Sequence, residues 1–287
     1  MFWNQIKTAF LLSTLSGLLL LMGNWIGGHN GLIFAFIMAL AMNFFTYFYS
    51  DKLILRMYHA QPLDQSKYGY LYDMVGELAN EANIPMPKLW YMPTPMANAF
   101  ATGRNPKHSS VVVTEGILNL LDKDELHGVL AHELSHIKNR DILVATVAAT
   151  IATAIGYLAN ILQWSVILGG SRDDNNRSSG IGALFVAILM PIAALLIQLA
   201  ISRSREYLAD ETGAACSHNP LALASALEKI SGNVKQQRVQ PESLAHTSTA
   251  SLFFVYPFTT NGFAHLFSTH PPIEKRIERL RNMIHNR

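Results

Sequence analysis

Four long apolar stretches of this chain carry no charged residue: Thr8 to Ile26, Gly31 to Ser50, Ile142 to Leu168 and Ile181 to Ile201. A helix rises about 1.5 Å per residue, so roughly 20 apolar residues cross a hydrocarbon core of ~30 Å. Each block is long enough. Half of the residues are hydrophobic and only 15% are charged, against roughly 25% in an ordinary soluble domain. The excess apolar surface therefore belongs in a bilayer. The first two blocks, joined by a short loop, read as one transmembrane hairpin. The last two, separated by the polar stretch Ser171 to Ser179, read as a second. A cleaved signal peptide would also explain the first block, since Lys7 precedes it, but no small-x-small cleavage site follows and another span comes almost at once. For the second pair, full spans fit two consecutive charge-free stretches better than a soluble core or a hairpin that only dips into the bilayer.

Lys and Arg near the span ends set the expected orientation. Lys7, Lys52, Arg56, Lys138, Arg140, Arg203 and Arg205 fall on one side of a four-span chain. The other side holds Arg172 and Arg177, offset by Asp173 and Asp174. Both termini and the region between the hairpins are thus expected in the cytoplasm. The net charge of +2 comes without a basic patch interleaved with aromatics, so nucleic acid is not an expected partner. Cys216 is the lone cysteine, which excludes a disulfide framework or a thiolate metal site and fits a small packing residue.

The chemistry lies in His132-Glu133-Leu134-Ser135-His136. Residues four apart on a helix return to nearly the same face, so both imidazoles can reach one ion, with Glu133 beside them as a non-ligand. Catalytic zinc takes three protein ligands and leaves a position for water, whose proton a neighbouring carboxylate can remove. With 11 His in 287 residues, roughly 0.02 such matches arise by accident. The surroundings are helical: Asp122 and Glu125 form a capping-box pattern, and Leu126, Val129, Leu130, Leu134 and Ile137 make an apolar stripe.

Residues 52–140 are too few for a two-lobed catalytic core on their own, so they are expected to join the region after Ser202. Within them Tyr68 to Asn83 reads as a helix, and Lys88 to Met92, Ala97 to Thr102 and Ser109 to Thr114 as short strands. The run Val111, Val112 and Val113, shortly before the metal helix, is expected to be an edge strand on which an extended peptide pairs. Met92, Met96, Phe100, Phe253 and Phe254 read as core or membrane contacts. The third ligand must come from elsewhere. Glu206 and Asp210 lie four apart on a helix that follows the fourth block, and either carboxylate could serve. Glu206 is the better ligand, with Asp210 placed to orient a ligating imidazole. Alone, such a pair flanked by arginines is more often a solvated, salt-bridged face.

His132 to His136 together with Glu206-Tyr207-Leu208-Ala209-Asp210 resembles the HtpX family of bacterial membrane zinc metallopeptidases, relatives of the CAAX prenyl endopeptidases. Asn98-Ala99-Phe100-Ala101-Thr102-Gly103 is similar to the family's strand motif, and Ser268-Thr269-His270-Pro271-Pro272 to its C-terminal motif. The order of motifs and apolar blocks matches over essentially the whole chain. The resemblance implies one Zn2+ held by His132, His136 and Glu206, with Glu133 as general base. It also implies Asn98 as a grip on substrate backbone, His270 as an oxyanion stabiliser, and unfolded or misassembled membrane proteins as substrates in a stress response.

The expected architecture is α+β and mainly helical. It comprises transmembrane hairpins at residues 1–51 and 142–201 and a zincin-like peptidase region with a small sheet, split between 52–141 and 202–287. Two other readings share the motif: a prenyl-protein endopeptidase, and a membrane chaperone with a relict zinc site, for which an intact Glu133 would be superfluous. A metal transporter is disfavoured because the four apolar blocks hold none of the ionisable groups that line ion paths.

Overall fold

The structure is a computed structural model that describes residues 2–26, 28–168, 177–237 and 270–284. The chain divides into two compact units, one of residues 1–4, 47–143 and 203–287, the other of residues 5–46 and 144–202. Phe253 and Phe254, with Ser268 and Thr269 of the C-terminal motif, lie outside the described residues.

The second unit is helical. It draws on α1 (Phe2–Ile26), α2 (Gly28–Met57), α6 (Asp141–Leu168) and α7 (Arg177–Ser217). Leu15, Leu19 and Met22 of α1 form a buried cluster with Ala148, Ile155 and Leu158 of α6 and Ala194 and Ile201 of α7. Phe10, Leu21, Trp164 and Phe185 instead face outward, as residues against lipid do. Three helices among the described residues are long and apolar enough to cross a membrane, over Ile6–Gly23, Asp141–Ser165 and Gly182–Ser217. The expected span at 31–50 lies within α2 and is not one of the three, so the pairing of spans into two hairpins is not established. Pro191 sits inside α7. It has no N–H to give the carbonyl four residues back, and Gln163 Nε2 of α6 donates to that carbonyl, Ala187 O, at 3.3 Å. In a bilayer such substitution matters, because no water is there to do it.

The first unit holds the sheet. β1 (Gln61–Pro62), β2 (Lys88–Met92), β3 (Ala99–Asn105) and β4 (His108–Thr114) lie in the order β1-β2-β4-β3, with β2 parallel to β4 and the other pairs antiparallel. Alternation sorts the side chains. Leu89, Val111 and Val113 enter the main core with Leu71 and Val75 of α3 (Gln65–Ala82), while Val112 points to the opposite face with Met92 and Phe100. The valine run is therefore not an edge. β4 is paired on both sides and Val112 is 0% exposed, because a strand buried on both faces also reads as a continuous apolar run. The edge is β3. A tight β3–β4 connection holds it there: Gly103 has φ +125°, and a Cβ on it would stand 2.2 Å from His108 O.

After α4 (Glu115–Leu120), the metal helix α5 (Lys123–Lys138) starts at a complete capping box. Asp122 Oδ1 accepts from Glu125 N–H at 2.9 Å, and Glu125 Oε2 from Asp122 N–H at 3.0 Å. Leu126, Val129, Leu130 and Leu134 bury against α3, the sheet and α8 (Pro220–Gln237), and Leu280 of α9 (Ile273–Asn282) closes the same core.

Candidate active site

The helical repeat of α5 brings His132 and His136 together, their rings edge to face with centroids 4.7 Å apart and their Nε2 atoms 3.1 Å apart. Glu206, at the far end of α7, meets both: Oε1 lies 3.5 Å from His136 Nε2 and Oε2 lies 3.8 Å from His132 Nε2. A small tetrahedral cation with ligand distances of about 2.0–2.1 Å requires ligand atoms about 3.3 Å apart. The three side chains meet that requirement and form a group that could hold a metal ion. α7 can come this close because residue 213 lacks a side chain. A Cβ on Gly213 would stand 2.8 Å from both the Cα and the N of His132. Glu206, Asp210 and Gly213 follow at helical spacing, so a single face of α7 carries the carboxylates and the smooth contact.

Each imidazole is backed by a carboxylate on its other nitrogen. His132 Nδ1 lies 3.0 Å from Asp210 Oδ1, and His136 Nδ1 lies 2.7 Å from Asp141 Oδ2. Such partners fix the tautomer and turn Nε2 toward the ion. Each carboxylate is in turn held by an arginine. Arg276 donates from Nε and a terminal nitrogen to Asp210 at 2.8 and 2.7 Å, while Arg205 pairs with Asp141 and donates to Asn139 O at 2.9 Å. Burial pulls His132 down to about 4, against the opposing pull of Asp210. The imidazole is thus neutral near neutral pH, the form that ligates metal.

Glu133 is buried, and Ala101 N–H of β3 donates to its Oε2 at 2.7 Å. Burial raises its carboxyl to about 7, a value suited to taking and returning a proton at neutral pH. The Ala101 amide faces Glu133 rather than β4. Since outward and inward residues alternate along an antiparallel edge, the backbone groups of Ala99, Ala101 and Gly103 face outward together.

His270 Nδ1 lies 3.1 Å from Glu206 Oε2, so the C-terminal motif reaches the same cluster. Asn98 is different. It is 2% exposed, and Thr114 clamps its backbone, accepting from Asn98 N–H and donating to Asn98 O, both at 2.9 Å.

Sequence reasoning missed Asp141, Arg205 and Arg276. Asp141 looked like the polar end of an apolar block, and Arg205 like one of a flanking basic pair. Arg276 did carry a signal. It falls with Ile273, Ile277 and Leu280 at the spacing of a buried helical stripe, an unusual place for an arginine without a partner.

A model of peptidase family M48 matches residues 65–284. The Protease HtpX homolog of Syntrophobacter fumaroxidans is 51% identical over 283 residues, covering 98% of this chain and 99% of that protein. The homolog of Thermococcus sibiricus is 51% identical over 284 residues, covering 98% and 96%. Among solved structures, the crystal structure of S. mikatae Ste24p has a similar fold, with a TM-score of 0.62 at 18% identity over 97% of this chain and 66% of that one.

Proposed function

Given that the chain belongs to peptidase family M48, with HtpX proteases as relatives of about half-identical sequence, we propose that this metallopeptidase is a multi-pass zinc endopeptidase. In this reading it hydrolyses unfolded or misassembled membrane proteins at the cytoplasmic face of a bacterial inner membrane, as part of stress-responsive quality control. The observation that carries the reading is the convergence of His132, His136 and Glu206 beside a buried Glu133.

His132, His136 and Glu206 would hold the zinc, which when bound would supply the charge that polarises a scissile carbonyl and acidifies the attacking water. Glu133 accepts the water's proton and returns it to the leaving amine. The Ala101 amide holds one of its oxygens, which leaves the other to take the proton. Asp210 and Asp141 keep the imidazoles oriented. His270, within 3.1 Å of Glu206 Oε2, is the group proposed to donate toward charge developing on the carbonyl oxygen. The outward backbone of β3 takes over the role expected of the valine run: an extended segment pairs there through main-chain groups, so the enzyme selects for unfolded chain rather than a particular side chain. Asn98, directly before β3 with its backbone held by Thr114, is the proposed grip on substrate backbone.

The peptidase domain in this reading is split between residues 52–141 and 202–287 around membrane segments at 1–51 and 142–201. The distribution of Lys and Arg supports the cytoplasmic orientation. Two experiments test the reading. Metal content and cleavage of an unfolded membrane protein in detergent are compared between wild type and Glu133→Gln; equal cleavage would overturn it. For orientation, Asn175→Cys is expected to react with an impermeant thiol reagent added to intact spheroplasts and Lys107→Cys is not; the reverse pattern would invert the topology.

A further inference from the structure

The helix α9 brings to the ligand set a cation that the proton transfers do not use. Arg276 is 1% exposed. Its fork grips both oxygens of Asp210 at 2.8 and 2.7 Å, and its remaining terminal nitrogen lies 3.3 Å from Glu206 Oε2. One guanidinium therefore holds a metal ligand and, at the same time, the carboxylate behind another ligand. Glu133, Glu206 and Asp210 are three buried acids in one cluster. A divalent cation and one arginine balance them, and without the arginine the carboxylates of α7 would repel one another before metal arrived.

The rest of α9 is built to seat that arginine. Leu280 is fully buried in the main core, with Ile273 and Ile277 packed against it. Arg279 stacks over the ring of Tyr207, the residue after Glu206, at 4.0 Å. Arg281 pairs with Glu228 of α8 at 2.5 Å on the exposed side. Of its charged side chains, Arg276 and Arg279 thus reach the ligand-bearing turn of α7 and Arg281 points away from it, while its apolar face packs in the core.

We propose that Arg276 is a positioning residue and that α9 is a clasp whose docking is coupled to metal binding. The proposal rests on His132, His136 and Glu206 being the ligands. By linkage the coupling is reciprocal: undocking α9 weakens metal binding, and bound metal holds α9 down by the same factor. A purely structural ion pair would lower thermal stability and leave zinc affinity alone.

The test uses the full chain in detergent, with zinc affinity measured by competition against a chelator of known strength. Arg276→Gln is expected to bind zinc about 10- to 100-fold more weakly, as loss of an outer partner of metal ligands does. Arg276→Lys is expected to fall between, since it keeps the charge but not the fork. Arg281→Ala, which removes only an exposed pair, is expected to match wild type. A second arm needs no substitution. Trypsin sites at Lys275, Arg276, Arg279 and Arg281 lie within α9, and saturating zinc is expected to slow their cleavage relative to chelator-stripped protein. Wild-type zinc affinity in folded Arg276→Gln would overturn the proposal, as would equal trypsin cleavage with and without zinc. If Arg276→Gln does not fold, the trypsin comparison decides alone. Glu206→Gln is measured alongside: unchanged zinc binding there would overturn the ligand assignment itself, and the clasp with it.

Discussion

The two histidines of the metal helix have the same kind of support but draw it from different distances along the chain. His136 is backed by Asp141, five residues away, and its side chain is 18% exposed; His132 is backed by Asp210, on another helix, and is 1% exposed. Both carboxylates are then held by arginines far along the chain, Asp141 by Arg205 of α7 and Asp210 by Arg276 of α9, so the contrast lies in the carboxylates themselves. A neighbouring helix start supplies the first partner cheaply in chain entropy, whereas the second requires α5, α7 and α9 to be folded together. Water can partly replace a lost partner at His136. At His132 it has little access, so the distant side is the more demanding one.

The largest expected effect leaves both sides intact. Glu133→Gln keeps the ligands and their backing, yet turnover of an unfolded substrate should fall on the order of 10³-fold, within the range of a lost general base, while metal content stays at wild-type level. Next comes Glu206, the proposed ligand that meets both histidines. Glu206→Gln replaces an anion with a neutral amide, and chelator competition should show a loss of zinc affinity beyond the ~100-fold ceiling expected of outer partners. The direct test of the comparison is the pair of carboxylates. Asp210→Asn should cost toward ~100-fold in metal affinity and Asp141→Asn nearer ~10-fold; the opposite order would break the distinction between buried and accessible sides. The smallest effect sharpens it. Gly213→Ala gains about 1 kcal/mol of helix propensity but pushes α7 off α5 at His132, a strain of about 1–3 kcal/mol. Calorimetry should find a small net loss of stability, and metal affinity should fall by less than in Asp210→Asn.

How much of this was legible in sequence follows the same division. The metal helix was readable to its cap, because a capping box, an apolar stripe and a four-residue spacing are all local. Glu206 and Asp210 were visible as a helical pair, although residues alone left their roles open. The sheet was legible as strands but not as an order. The valine run shows why: a strand buried on both faces and an apolar edge look alike until the neighbours are known. Asp141 was hidden by its position, one residue before a long apolar block. Arg276 was hidden by chemistry, since a guanidinium within an apolar stripe becomes intelligible only when Asp210 and Glu206 are seen opposite it.

The wide sequence gap between the ligands also orders events during synthesis. His132 and His136 leave the ribosome with Glu133 between them, but Glu206 follows only after two further apolar blocks have been made, and Arg276 comes later still. A protease assembled in this order is inert until Glu206 has been made. On the proposed reading, the growing chain meets no finished catalytic site of its own until Glu206 has joined the two histidines.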